Sequence, residues 1–297
     1  MPPKPVLPLS APSRLRCEYF ENPIGLDEPS PRLAWENADR QAAYQIRVAS
    51  DASGLAQDDA DVWKSDRVKS GANVQVAYGG PKLKSRRRYY WSVRVWDAKG
   101  RASPWSEAGW WEMGLLAPKD WQARWVADAV PRQAKERGPS PYLRRAFVLR
   151  GAVARARVYV TALGLYEMWI NGRRVGADSF TPGWTDYSTR VQYQTYDVTD
   201  LLRDGDNVVG AILGDGWYCG DLGWELARPP YGNEPSLRAQ LEITYTNGST
   251  ETIATDRSWK TARGAILAND FYHGETHDAR LEPVGWNAPG FGDAGWQ

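Results

Sequence analysis

The sequence is short of cysteine. Only Cys17 and Cys219 occur among 297 residues, and they lie far apart along the chain. So low a count gives no sign of a disulfide framework. We therefore expect two buried, unreactive thiols, with a disulfide between the two cysteines as the alternative.

An excess of either charge is also missing. The chain has 37 basic and 36 acidic side chains and a formal net charge of +1. This balance offers no electrostatic basis for a nucleic-acid or an anionic-membrane partner, and we expect neither.

Long apolar runs are absent too. No run approaches the roughly 20 residues that span a bilayer. The N-terminal residues Met1 to Arg16 lack the continuous apolar stretch of a signal peptide. The sequence therefore predicts a cytoplasmic location.

What the sequence has in quantity is tryptophan and tyrosine, 16 and 15 residues against five phenylalanines. Both side chains combine a large apolar face with a polar group, which suits β-sandwich cores and sugar-stacking surfaces. Helix signals are sparse, since glycine and proline are frequent and apolar residues alternate. We expect most of the rings in the core and two or three on a ligand.

The first half of the chain predicts a sandwich of short strands. Tyr44, Ile46 and Val48 alternate with polar residues, and residues 90–96 alternate in the same way before the turn at residues 97–100. The order of these strands is similar to that of a fibronectin type III or immunoglobulin-like module.

A second series of strands follows a linker at residues 117–120. Residues 153–160 alternate cleanly, and Asn171-Gly172 and Asn247-Gly248 are hairpin turns between apolar strands. About eight strands over 150 residues predict a jelly-roll sandwich. One short helix, capped by Asp197, is predicted at residues 197–203.

The predicted fold class is therefore all-β, an immunoglobulin-like sandwich followed by a jelly roll. The predicted organisation is a tail, a first sandwich, a jelly-roll domain and the start of a further β-domain, at residues 1–15, 16–116, 117–285 and 286–297.

Six segments in one order carry a resemblance to a known family. Several segments in a fixed order are more specific than any single short motif. They resemble the N-terminal β-domain of bacterial α-L-rhamnosidases of glycoside hydrolase family 78, and lie at residues 162–167, 171–176, 182–187, 193–199, 214–218 and 273–280. The leading sandwich resembles the immunoglobulin-like domain that precedes this region in such enzymes.

The resemblance implies a parent enzyme that hydrolyses terminal α-L-rhamnose, with its catalytic carboxylates on a downstream helical barrel. No match to that barrel occurs in the 297 residues, so we expect this region to be inactive alone. Its expected partners are rhamnose-containing glycans or glycosides and the parent's downstream barrel. A purely structural role as a scaffold for the barrel is the alternative.

The resemblance also implies a sugar site, because some family members bind rhamnose through calcium. Vicinal hydroxyls can bind a calcium ion held by hard oxygen ligands. Carried over by motif neighbourhood, the sugar-binding candidates are Asp186, Tyr187, Trp217, Trp224 and Asn233. The calcium candidates are Asp186, Asn233 and the Pro235 carbonyl. Tyr187 stands where the family has asparagine, which predicts weak or absent calcium dependence.

Purely structural interpretations remain open for several of these residues. Trp184 is interpreted as a core ring beneath its loop, and Asp186 and Asn233 as turn residues. Glu275 is the candidate of a third hypothesis, a self-sufficient glycosidase. His273 and His277 have the spacing of helical zinc ligands, but Gly274 argues against a helix there.

Overall fold

The computed structural model describes residues 8–57, 59–133, 137–223 and 231–297. The chain divides into two compact units, Met1–Trp121 and Gln122–Gln297. The linker predicted at residues 117–120 lies at the end of the first unit. Its residues Pro118–Asp120 form a turn of 3₁₀ helix.

The first unit consists of two antiparallel sheets. One has the strand order β1-β2-β5 and the other β4-β3-β6-β7, with one helix, α1, after β3. The strands and helix are β1 (Ser13–Cys17), β2 (Arg32–Glu36), β3 (Ala43–Ala49), α1 (Ala52–Ala56), β4 (Trp63–Lys64), β5 (Val76–Ala77), β6 (Arg88–Trp96) and β7 (Gly109–Glu112).

Residues of both sheets share one core in this unit. Trp91, Val93 and Val95 of β6 are buried, as the alternation in the sequence predicts. They pack in one cluster with Trp35 of β2 and Trp111 of β7. The predicted immunoglobulin-like sandwich is therefore confirmed.

The second unit contains two five-stranded antiparallel sheets. One has the order β13-β10-β15-β16, with β8 also paired to β15, and the other the order β12-β11-β14-β9-β17. Their strands are β8 (Val126–Ala127), β9 (Pro141–Leu149), β10 (Val153–Leu163), β11 (Leu165–Ile170), β12 (Arg173–Arg174), β13 (Gln194–Asp197), β14 (Gly205–Gly214), β15 (Ser236–Tyr245), β16 (Thr250–Ala254) and β17 (Lys260–Arg263).

Both sheets contribute to a mainly aliphatic core, which confirms the predicted sandwich. Val158 and Val160 of β10 belong to the same buried cluster as Val209 and Ala211 of β14. Outside the sheets lie one short helix and a two-stranded ribbon, namely α2 (Gly216–Cys219), β18 (Ile266–Asp270) and β19 (Gly274–His277).

The predicted hairpin turn at Asn171-Gly172 is confirmed. Both residues have positive φ angles, 51° and 80°, and they join β11 to β12. Glycine adopts this conformation without steric cost and asparagine tolerates it. The Asn171 side chain also donates to the Leu201 carbonyl, which holds the turn against the neighbouring loop.

The helix predicted at residues 197–203 is shorter than expected. Only Thr199–Leu201 forms a turn, of 3₁₀ type. Asp197 belongs to β13, and its carboxylate accepts bonds from the amide and the hydroxyl of Thr199. Asp197 thus bonds to the start of the turn, but it pairs with β10 as part of strand β13 and does not belong to the helix.

Residues 286–297 lie within the second unit, whereas the sequence predicts that they open a further domain. Trp286 is buried and meets the rings of Tyr142 and Trp169 edge-on at 5.1 and 5.6 Å. Gln297 exchanges two backbone hydrogen bonds with Thr261 of β17. Residues 286–297 therefore pack on the second sandwich.

Cys17 and Cys219 are both buried and are not joined in a disulfide, which confirms the two buried thiols. Burial raises the pKa of the Cys17 thiol far above its usual range. Among the helices that the structure describes, none is long and apolar enough to cross a membrane.

Candidate functional site

A buried ion pair fixes the loop that follows β14. Asp215 is fully buried and pairs with Arg132, which is also buried. The Asp215 amide donates to the Asn269 side-chain oxygen at 2.7 Å. Gly216 then has φ of +52°, and a β-carbon there would lie 2.7 Å from Leu165. This close approach favours glycine and starts α2 in a defined direction.

Four aromatic rings form an exposed row beside α2, here called the aromatic ledge and defined as Phe180, Trp184, Trp217 and Phe271. Trp184 and Trp217 are parallel within 6°, with ring centroids 6.1 Å apart. Phe271 lies 4.5 Å from Trp217 and 5.5 Å from Phe180. Phe180 is 61% exposed and Trp184 55%. Rings this open to water provide an apolar surface to a ligand.

A second group of rings includes Tyr218, the residue that follows Trp217 on α2. Tyr187 is buried, and its ring meets Tyr218 and Tyr231 edge-on at 5.3 and 5.1 Å. A β-carbon at Gly232 would lie 2.4 Å from the Tyr218 hydroxyl, so close packing favours glycine there. Because Trp217 and Tyr218 are adjacent on α2, packing of Tyr218 helps to orient Trp217 in the ledge.

Acidic and histidine side chains lie close to the ledge in sequence. The Nε2 atom of His273 is 2.9 Å from an Asp221 carboxylate oxygen, and Arg137 donates to the same oxygen at 2.8 Å. Asp270 accepts from the amides of Asp221 and Tyr272. Asp221, Asp270 and His273 place their ligand atoms within 4.8 Å of one another. We call these three residues the acidic cluster.

Asp186 forms a local turn. Its carboxylate accepts bonds from the Ser188 amide and hydroxyl and from the Thr189 hydroxyl. The hydrogen bonds from Ser188 and Thr189 lower the pKa of Asp186, so the carboxylate is charged near neutral pH. Asp186 is exposed, but its hydrogen bonds are those of a turn residue.

The other sugar-binding candidates have different surroundings. Tyr187 donates its hydroxyl to the Gly183 carbonyl at 3.1 Å, and burial raises its pKa to about 12. Trp217 lies in the ledge, as its role as a platform requires. Asn233 is exposed and Pro235 is buried. Trp224 lies outside the described residues.

The calcium candidates do not fit a calcium ion well. Calcium prefers six to eight oxygen ligands. Of Asp186, Asn233 and Pro235 only one carries a carboxylate, and both of its oxygens already accept hydrogen bonds. The Tyr187 hydroxyl is turned to Gly183. The calcium dependence of sugar binding therefore stays a prediction, to be tested with the sugar itself.

The remaining candidates lie on the ribbon after β18. Glu275 and His277 belong to β19 and are exposed. His277 lies 3.8 Å from Glu282, whereas His273 is paired with Asp221. No helix contains the two histidines, so the spacing does not bring them together as helical ligands.

Sequence reasoning missed part of the site. The interpretation of Trp184 as a core ring is wrong, because the ring is largely exposed. Phe180 and Phe271 were not singled out at all. A signal existed in the turn-rich segments around them, because aromatic residues in loops are exposed more often than those in strands. Which rings meet depends on loop conformation, which alternation does not encode.

The fold and the site together define a class, an all-β pair of sandwiches whose second member carries a loop-borne aromatic surface. Two family models match the chain. The α-L-rhamnosidase N-terminal domain matches residues 151–297, and the Rha78A-like N-terminal immunoglobulin domain matches residues 12–117. The chain belongs to the α-L-rhamnosidase family. It corresponds to the immunoglobulin domain and the N-terminal β-domain of that family.

Individual relatives agree with this assignment. An α-L-rhamnosidase of Alteromonas sp. is 40% identical, covering 94% of this chain and 32% of its own length. The structure of Streptomyces avermitilis α-L-rhamnosidase complexed with L-rhamnose is 31% identical with a TM-score of 0.91, covering 96% of this chain and 44% of that one. The α-L-rhamnosidase from Dictyoglumus thermophilum is 36% identical with a TM-score of 0.89, covering 97% and 34%. The chain thus spans less than half the length of these relatives.

Proposed function

We propose that this chain is the non-catalytic N-terminal region of an α-L-rhamnosidase and that its aromatic ledge binds L-rhamnose. The whole protein would hydrolyse terminal α-L-rhamnose from glycosides. The family assignment supports the parent activity. The observation that carries the binding role is the exposed stack of Trp184 on Trp217, extended by Phe271.

The ledge has the chemistry that a deoxysugar requires. A rhamnose ring has C–H groups on its faces and a methyl group at C6, which pack on aromatic rings. Vicinal hydroxyls require polar partners, and the acidic cluster offers two carboxylates and an imidazole. The chain connects the two directly, since Asp270 precedes Phe271 and His273 follows Tyr272. Sugar sites typically combine an apolar surface with few, well-placed polar groups.

The hydrogen bonds of two carboxylates favour binding over hydrolysis in this proposal. A glycosidase needs two carboxyl groups about 5.5 Å apart, or about 6.5–9.5 Å apart, flanking the scissile bond. Asp221 is engaged by Arg137 and His273, and Asp270 by two backbone amides. Glu275 lies on the exposed strand β19. Asp221 and Asp270 therefore already have hydrogen-bond partners, which supports a binding role.

Calorimetric titration with L-rhamnose tests the binding role. We expect a Kd of about 1 mM, and loss of about tenfold in affinity in Trp184→Ala, because one stacked ring contributes about 1–1.5 kcal/mol. Trp125→Ala removes a partly exposed tryptophan elsewhere in the same unit and should leave the Kd unchanged. Titrations with calcium and with a chelator should agree within about twofold, because the donor set does not fit calcium.

Absence of heat at millimolar rhamnose, with or without calcium, would refute the binding role. So would equal weakening by Trp184→Ala and Trp125→Ala. A Kd that falls only when calcium is present would restore the calcium site that the resemblance implies.

A scaffolding role is the second candidate, favoured by apolar side chains exposed away from the ledge. Leu281 and Val284 are 52% and 83% exposed and follow the ribbon. If the two sandwiches only support another domain, Trp184→Ala should leave rhamnose binding unchanged. Turnover of an aryl rhamnoside by the 297-residue chain, abolished in Glu275→Gln, would instead support the self-sufficient glycosidase.

A further inference from the structure

A cleft of ≈ 540 Å³ lies in the second unit, lined by residues separate from the aromatic ledge and the acidic cluster. Its volume is within the range of small-ligand sites, about 300–1,000 Å³. The lining is polar and rich in arginine, and consists of Gln122, Arg124, Arg145, Thr252, Ala254, Asp256, Arg257 and Ser258.

Three different segments bring the arginines to this cleft. Arg145 lies on β9, and Arg257 lies in the turn that follows β16. Arg124 is held through its backbone, which exchanges bonds with the buried Thr255. The turn is closed by Trp259, whose indole donates to the Ala254 carbonyl at 3.0 Å. The guanidinium groups therefore project from a well-anchored backbone.

The cleft has an excess of positive charge. Asp256 is its one acidic lining residue. Its carboxylate accepts from Ser258, and lies 3.3 Å from one nitrogen of Arg145. Within the described ranges, the guanidinium groups of Arg124 and Arg257 have no ion-pair partner. Two full positive charges are thus left over at one concave surface.

Arginines that line one cleft without carboxylate partners are suited to bind an oxyanion. A guanidinium donates two parallel hydrogen bonds to a carboxylate or a sulfate group. The other lining groups, the Gln122 amide and the hydroxyls of Thr252 and Ser258, are hydrogen-bonding partners for sugar hydroxyls. The cleft is large enough for a ligand bigger than the anion alone.

We propose that this cleft binds an anionic saccharide unit, with a sulfate ester or a uronate carboxylate held between Arg124 and Arg257. The proposal goes beyond rhamnose recognition by the ledge and does not depend on it. It assigns a second binding site to the same sandwich, selective for charge, whereas the ledge is selective for an apolar sugar face.

Calorimetry with the 297-residue chain tests this site, using glucose 6-sulfate, glucuronate, glucose and inorganic sulfate as ligands. We expect at least one of the two anionic sugars to bind about tenfold more tightly than glucose and than inorganic sulfate at low ionic strength. Which of the two binds better identifies the anion. Trp184→Ala should leave this binding unchanged, so the two proposed sites can fail separately.

The variants are Arg124→Gln with Arg257→Gln, and the charge-retaining pair Arg124→Lys with Arg257→Lys. The glutamine pair should weaken binding at least about tenfold, and the lysine pair less, because charge is kept while the paired bonds are lost. Arg150→Gln is the matched control, at an exposed arginine just after β9 that does not line the cleft, and should change the Kd by less than about twofold. Thermal unfolding of each variant checks the fold.

Three results would overturn the proposal. They are no binding of either anionic sugar, equal weakening by Arg150→Gln and by the glutamine pair, and inorganic sulfate binding as tightly as glucose 6-sulfate. The last result would mean that the arginines bind a free anion and that the cleft does not recognise the sugar.

Discussion

The two units use their aromatic side chains in opposite ways. In the first, Trp35, Trp91 and Trp111 are buried and form the centre of the core. In the second, the core is mainly aliphatic, and tryptophan and phenylalanine rings stand on loops at its surface. One residue type therefore supplies stability in one sandwich and an exposed surface in the other.

Rings outside the core also differ between the units. In the first unit, Trp105 is covered by Arg47 and Arg94, whose guanidinium carbons lie 4.1 and 4.6 Å from the ring centroid. These cation–π contacts occupy the ring faces. Across the described residues no guanidinium lies over a ring of the ledge. The difference indicates that ledge faces are available to a ligand, whereas the face of Trp105 is covered by arginines.

The largest difference in stability should appear when a buried tryptophan of the first unit and an exposed tryptophan of the second are each replaced by alanine. Trp111→Ala removes a fully buried ring packed against Tyr78 and Tyr89, and should destabilise the first unit by about 3–5 kcal/mol. Trp184→Ala should cost about 1 kcal/mol or less, because that ring is largely exposed. Urea unfolding of the full chain measures both. Similar losses in the two variants would contradict the comparison.

An intermediate effect is expected at the end of the second unit, where Asp293 meets Lys260 and Arg144. Lys260 donates to it at 2.7 Å, and Arg144 is nearly fully buried. The Lys260 bond, opposed by some burial and helped by Arg144, lowers the pKa of Asp293. A lowered pKa in the folded state means that this stabilisation is complete above the unfolded-state pKa. It is lost as the pH falls through the folded-state pKa.

Asp293→Asn should therefore destabilise the chain by about 1–3 kcal/mol at pH 7, because Arg144 loses its charged partner. The difference from the unchanged protein should begin to shrink below about pH 4, where the carboxylate of the unfolded chain becomes protonated, and should go on shrinking as the pH approaches the lower folded-state pKa. Urea unfolding at pH 7 and pH 3 measures this. Asp200→Asn, at an exposed aspartate of the same unit, is the control and should leave the stability at pH 7 unchanged. A stability at pH 7 unaffected by Asp293→Asn would mean that residues 286–297 contribute little to the second sandwich.

Sequence patterns predicted the fold more completely than the site. The sequences of β6 and β10 alternate as those of strands do, although residues 156–162 of β10 are buried on both faces, and the Asn171-Gly172 turn needs backbone angles that few residues adopt. Both are local properties and can be read from neighbouring residues. The ledge joins Phe180, Trp217 and Phe271 from three distant segments, and the Asp215–Arg132 ion pair lies directly before the helix that carries Trp217. Such long-range contacts leave no periodic pattern.

The smallest effect is expected at Asp186, where sequence reasoning left a ligand and a turn residue open. Its carboxylate is bound to Ser188 and Thr189, so Asp186→Ala should lower the melting temperature slightly and loosen the loop that carries Trp184. Rhamnose affinity should fall by less than about threefold, well below the loss in Trp184→Ala. Asp186→Asn keeps the acceptor for Ser188 and should bind rhamnose almost as the unchanged protein does. If Asp186→Asn instead abolished binding, the carboxylate charge itself would contact the sugar or an ion, and the ledge alone would not account for recognition.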